Sequence, residues 1–174
     1  MIMHDDLIIL ATTRMPECNI RINKHLIGYS TIQFMERGAV DVCYDNCEYS
    51  MRGAWFWPAH PGPCIRFFSG DEKPWFHRHI GFQGARIARW IADGWWLSEP
   101  QPAPPSRTPK QWGEFFDEII QQSQRLDAWG KLRTLNLLEQ LLLELAEARV
   151  AQPHQEPWLE TVLQKMNIFS EDVS

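Results

Sequence analysis

Up to about residue 82, apolar and polar side chains alternate in short runs, over residues 7–11, 19–23, 29–36, 40–44, 47–51, 54–57, 64–69 and 75–82. A two-residue period puts successive side chains on opposite faces of a strand, so each run predicts a half-buried β-strand. Between the runs lie Arg37-Gly38, Asp45-Asn46, Arg52-Gly53 and the Pro- and Gly-containing stretches 58–63 and 70–74. These supply the positive or fixed φ angles that tight turns require. Many short strands at roughly ten-residue spacing predict a sandwich or barrel, in which edge strands are protected by closure or by a second sheet. The expected fold is mainly β with α, a jelly-roll β-barrel followed by helices.

After Gly84 the period changes to about 3.6, first over 85–92 and then, past residues 98–108, in two longer segments. Pro100, Pro102, Pro104 and Pro105 make 98–108 an extended, semi-rigid link. Thr108 is placed to cap a helix with Pro109 at its first position, and Trp112, Phe115, Phe116, Ile119 and Ile120 then line one face. A second helix is expected over 131–150. It carries Leu135, Leu138, Leu142 and Leu145 at 3-4-3 spacing, with Leu137, Leu141 and Ala148 beside them. One stripe can pack on the neighbouring helix while the other meets a second copy of the chain, or both can bury within one monomer. Residues 151–157 read as a linker and 158–166 as the onset of another helical unit.

Composition narrows the function. The 174 residues are 44% hydrophobic with a formal net charge of -5, enough for one core and without the basic clusters of a nucleic-acid surface. No run reaches the roughly 18 to 20 apolar residues needed to cross a bilayer. Cys18, Cys43, Cys47 and Cys64 form no CxxC pair, and the acidic start of the chain does not read as a secretory leader, so a cytoplasmic protein with reduced thiols is expected. Cys43 and Cys47 flank Asp45-Asn46, where a disulfide or zinc site across a hairpin is a minor alternative.

Candidate chemistry concentrates in residues 75–82, Trp-Phe-His-Arg-His-Ile-Gly-Phe. On a strand Trp75, His77 and His79 share one face, gathering an indole and two imidazoles suited to a polar, ring-shaped ligand. His-x-His spacing also suits a metal, but no Glu follows within a few residues and the nearest further imidazole in the sequence is His60, so no metal and no cofactor are expected. Both histidines can equally be ordinary buried residues. Arg14, Arg21 and Arg66 fall in or beside early strands, where an inward guanidinium could clamp hydroxyls or a carboxylate. Most of the nine tryptophans should be core material. No Gly-rich phosphate loop, GxSxG or HExxH occurs, and nothing in the motifs requires catalysis.

The segment 75–82 resembles the last barrel-strand signature of the arabinose-responsive subfamily of AraC-type transcription regulators. Residues 136–143, Asn-Leu-Leu-Glu-Gln-Leu-Leu-Leu, resemble the coiled-coil helix of the same proteins, and Gly28-Tyr29, Glu36-Arg37-Gly38 and Arg52-Gly53 are similar to landmarks of their sensor domain. The resemblance implies an N-terminal arm (1–18) that folds over a monosaccharide held in a cupin-like barrel (19–97). It further implies a Pro-rich linker (98–108), a two-helix antiparallel dimerisation element (109–150) and, from 151–174, the lead into a helix-turn-helix domain that would alone contact DNA. By position, His77 matches a pocket histidine, and His79 stands where the family places a sugar-stacking tryptophan, a role Trp75 would take over. Arg66 falls near a pocket tyrosine and Arg21 near a pocket arginine. The implied partners are a small-molecule effector, a monosaccharide in that family, and a second copy of the chain through Leu135, Leu138, Leu142 and Leu145. The competing reading is a metal-dependent cupin enzyme acting on a small sugar.

Overall fold

The computed structural model describes residues 6–151, so the expected linker and helical onset beyond Ala151, like residues 1–5 of the expected arm, lie outside it. In chain order the elements are β1 (Ile8–Cys18), β2 (Ile22–His25), β3 (Ser30–Arg37), β4 (Ala39–Tyr44), β5 (Cys47–Arg52), β6 (Trp55–Ala59), β7 (Cys64–Ser69) and β8 (Trp75–Gln83). After them come α1 (Arg86–Ala92), β9 (Gln101–Pro102), α2 (Pro109–Ser123) and α3 (Ala128–Ala151). The strands form two antiparallel sheets, one ordered β1-β8-β3-β6-β9 and the other β2-β7-β4-β5. Apart from the β4–β5 hairpin, each strand from β1 to β7 is followed by one in the other sheet.

The first sheet is covered on both faces, which explains why six consecutive residues of β3, Ser30 to Met35, are all buried. Its inner face meets the second sheet through Met35, Trp57 and Trp75 on one side and Val42, Met51 and Phe67 on the other. Its outer face carries Ile32, Phe34, Phe56, Ile80 and Phe82, which pack on Trp112, Phe116 and Ile119 of α2 and, in the same core, on the leucines of α3. Gly113 lets α2 come close to the sheet, because a side chain there would collide with Glu36 and with the Arg78 guanidinium.

Two expectations change. Residues 8–18, expected within a separate arm, are strand β1, hydrogen-bonded along β8 from Ile8↔Gln83 to Cys18↔Trp75. Pro16 suggests a break, but β1 is an edge strand and the register shifts between Met15 and Cys18, so the missing N–H leaves no ladder bond unmade. The Pro-rich link is also docked on the sheet. Gln101 and Pro102 pair with β6 as β9, and the buried Pro104 carbonyl accepts a hydrogen bond from Trp112 Nε1 at 2.9 Å.

The helices follow their signals closely. Thr108 Oγ1 accepts from the Gln111 amide while Gln111 Oε1 accepts from the Thr108 amide, a reciprocal cap worth about 1 kcal/mol. On α3, Leu135, Leu138, Leu142 and Leu145 are buried within the chain, against the α2 side of the core, so this stripe is not an exposed dimer interface. Its burial follows from the packing of α3 on α2, which claims the wider apolar face. The large apolar side chains that α3 leaves exposed are Trp129, Leu143 and Val150. Among the described residues no helix is long and apolar enough to cross a membrane.

Candidate ligand-binding cavity

The inner face of the first sheet can be read as rungs across its strands. One rung runs Thr13–His79–Gln33–Trp57 and the next Ala11–Gly81–Thr31–Ala59. The second rung consists of small side chains, so it cannot fill the space between the sheets. The result is a cavity of about 340 Å³, closed from the opposite sheet by Ile22, Lys24, Ile65 and Phe67. That volume lies within the range typical of small-molecule sites.

His77 and His79 both line this cavity. Trp75 Nε1–H donates to His77 Nδ1 at 3.2 Å, which makes Nδ1 an acceptor. Burial, with a smaller contribution from His79, pushes the His77 pKa down from 6.5 to about 3, so the ring is neutral and its proton sits on Nε2. Among the described residues no side chain or carbonyl accepts a hydrogen bond from that Nε2–H. The pKa of His79 is likewise lowered, by burial first and then by the nearby charge of Lys24. On the same wall the buried Gln33 donates through Nε2 to Thr31 Oγ1 at 3.1 Å, and among the described residues its carbonyl oxygen has no donor. The site therefore presents neutral donors and acceptors in an otherwise apolar hollow, with one cation, Lys24, at its exposed edge.

The other expected site residues lie elsewhere. Trp75 shares the inward face with the histidines but is packed behind His77, edge-on to its ring, and does not line the cavity. It positions His77; it is not placed to stack on a ligand. Arg66 points outward, because Ile65 and Phe67 on either side take the inward positions of β7; its Nη2 donates to Cys43 Sγ at 3.3 Å. Arg21 is exposed with its guanidinium 5.0 Å from the Phe68 ring, again outside the cavity. Cys43 pairs with Glu48 while Cys47 pairs with Tyr44, so the two cysteines face opposite sides of the hairpin and cannot be bridged; all four thiols are free. Among the described residues no three His, Cys, Asp or Glu side chains gather into a metal-ligand group, and His77 and His79 gain no third ligand.

Thr13, Lys24, Tyr29, Thr31 and Gln33 are cavity residues that motif reading missed. Gln33 and Thr31 carried a usable signal, since they are polar residues at alternate positions of a strand whose remaining inward side chain, Met35, is apolar. Lys24 carried none, because a lysine on a short polar run reads as solvent-exposed.

The opposite face of β8 is tied to the helices. Arg78, between the two histidines and 2% exposed, donates from Nη1 to Glu36 on β3 at 2.7 Å. It also donates from Nε and Nη2 to both carboxylate oxygens of Asp117 on α2, at 2.7 and 3.0 Å. Its guanidinium lies 4.0 Å from the Phe76 ring.

No protein-family model matches the chain, and no curated protein matches it. Solved structures resemble it over part of its length. The cupin domain of Schizosaccharomyces pombe Cnp3 shares 8% identity over 53% of this chain and 66% of its own, with a TM-score of 0.38. The Clostridium difficile EutQ protein shares 18% over 44% and 52%, with a TM-score of 0.31. A putative ethanolamine utilization protein Q from Salmonella typhimurium shares 11% over 45% and 68%, with a TM-score of 0.30. The chain thus spans about two thirds and about half of the first two, and the description of its fold rests on its own strand pairing.

Proposed function

We propose that this chain is a small-molecule-sensing domain of a transcription regulator of AraC type, with a jelly-roll, cupin-like barrel that binds a sugar or sugar-like metabolite between its sheets. The strand order, with eight strands interleaved between two facing sheets, supports the jelly-roll reading. The observation that carries the functional reading is the double use of β8. Its inward side chains, His77 and His79, line the cavity, while the residue between them, Arg78, holds α2 through Asp117. A ligand that draws on the His77 donor or displaces β8 changes the footing of the helix pair. Such a ligand biases the regulator only in so far as it binds one arrangement of that footing better than the other.

Binding is favoured over catalysis by the lining, which among the described residues contains no carboxylate and no thiol to serve as general acid, base or nucleophile beside the two neutral imidazoles. The regulator would work as a cytoplasmic homodimer, touching DNA only through a separate domain. With the inner leucines of α3 committed to the monomer core, the contact between copies falls to the exposed side with Trp129, Leu143 and Val150. In sedimentation, Leu143→Glu should give a folded monomer and Leu138→Glu an unfolded chain; a dimer surviving Leu143→Glu places the contact elsewhere.

A thermal-shift panel of pentoses, hexoses, sugar acids and divalent metals tests the sensor reading, since a ligand of the folded state raises Tm by mass action. A shift with an organic ligand that is lost in His77→Leu supports it. A shift with Zn, Mn or Fe alone, lost in the same variant, replaces it with the metal-dependent enzyme.

A further inference from the structure

Among the described residues that line the inter-sheet cavity, Lys24 is the one charged side chain. It projects from the edge strand β2, beside Ile65 across the β2–β7 pair, and its ammonium lies 5.9 Å from the Tyr29 ring, also part of the lining. Among the described residues it forms no salt bridge, whereas arginines such as Arg78, Arg86 and Arg107 are each paired with a carboxylate. Across the hollow, its charge is close enough to His79 to help keep that imidazole neutral. The described lining therefore offers one positive charge, no negative charge, and neutral hydrogen-bonding groups at Gln33 and His77.

A cation entering this space would meet a like charge with no carboxylate to offset it, at a cost in a partly dehydrated site. A neutral ligand would leave the Lys24 ammonium unused. A ligand with one carboxylate at the cavity edge would form a charge-assisted hydrogen bond, about twice as strong as a neutral one. The rest of the wall sets the other end of the molecule. Ile20, Ile22, Leu26, Ile65 and Phe67 bury an apolar or weakly polar body, while Gln33 Oε1 can accept from a hydroxyl and His77 Nε2–H can donate to a hydroxyl or carbonyl oxygen.

We infer that the cavity takes a small monocarboxylate, its carboxylate paired with Lys24 and its uncharged body seated against the apolar wall. This rests on the reading of the cavity as a ligand site and narrows it from sugar-like molecules in general to acids. It makes Lys24 the residue that sets charge specificity.

The test is calorimetric binding to the full 174-residue chain. Each three- to eight-carbon monocarboxylate, plain or hydroxylated, is compared with the alcohol or aldose of the same skeleton. For at least one skeleton the acid is expected to bind about tenfold or more tightly than its neutral counterpart. Lys24→Met should abolish that preference, Lys24→Arg should keep part of it, and the unliganded Tm should be unchanged in both because the side chain is exposed. Equal or tighter binding of the neutral members, or a preference unaltered in Lys24→Met, overturns the inference while leaving the cavity reading standing. Failure of every acid to bind at millimolar concentration also overturns it, and the thermal-shift panel then decides whether the cavity reading falls as well.

Discussion

Arg78 grips Asp117 through two parallel hydrogen bonds, Nε to Oδ1 at 2.7 Å and Nη2 to Oδ2 at 3.0 Å, joining the strand that lines the cavity to the helix pair behind it. The planar guanidinium matches the carboxylate in a way a lysine cannot. Burial raises the Asp117 pKa, but the bonds and charge of Arg78 outweigh it, and the net value is lowered. Removing the arginine leaves Glu36 and Asp117 facing each other across a partly buried gap. Arg78→Met should cost about 3 kcal/mol in urea denaturation. A cost under 1 kcal/mol would mean that the sheet and helices are held together by apolar packing alone.

His77 imposes a pH dependence whose sign can be worked out. Its folded pKa, about 3, lies below the ordinary 6.5, so between these values the unfolded chain binds more protons than the native one. Stability then rises with pH across that window and falls as acid is added below 6.5. One such group contributes at most about 1.4 kcal/mol per pH unit. The difference in unfolding free energy between the wild type and His77→Gln should therefore shrink from pH 7 towards pH 4. A pH-independent difference would show that His77 is solvated.

Two buried indoles should respond differently to the same substitution. Trp75 Nε1–H is bonded to His77 Nδ1, and Trp75→Phe strands that acceptor and frees the tautomer of a cavity residue. Among the described residues the buried Trp57 Nε1 has no acceptor, so Trp57→Phe removes an unsatisfied donor along with some packing. Trp75→Phe should be the more destabilising by about 1 to 3 kcal/mol. It should also change the His77 ring ¹⁵N shifts, as a purely packing role for Trp75 would not.

The strand runs, the cap at Thr108 and the inward face of residues 75–79 were legible because each depends on local periodicity or on one hydrogen-bonding side chain. What escaped depends on tertiary choices. Nothing local tells that β1 continues through Pro16, since that is permitted only at a sheet edge, or that Pro102 docks on β6. The leucines of α3 were readable as buried, but which surface buries them is set by α2. Arg21 and Arg66 were placed near the site by resemblance, but alternation on β7 turns Arg66 outward, and Arg21, just ahead of β2, is exposed beside the Phe68 ring. The cavity itself arises from the small rung Ala11–Gly81–Thr31–Ala59, drawn from four strands that only the register brings together.

That rung also supplies the most direct test of ligand binding between the sheets. Ala11 is exposed at the cavity edge on β1, so Ala11→Phe should occupy the space without disturbing the core. Tm would be measured for the wild type and this variant with and without whichever organic ligand shifts the wild type. The account requires an unliganded variant at least as stable as the wild type and a ligand-induced rise reduced to near zero. A folded Ala11→Phe protein with an undiminished rise would contradict it, because the ligand would then bind somewhere other than the cavity beneath His77 and His79.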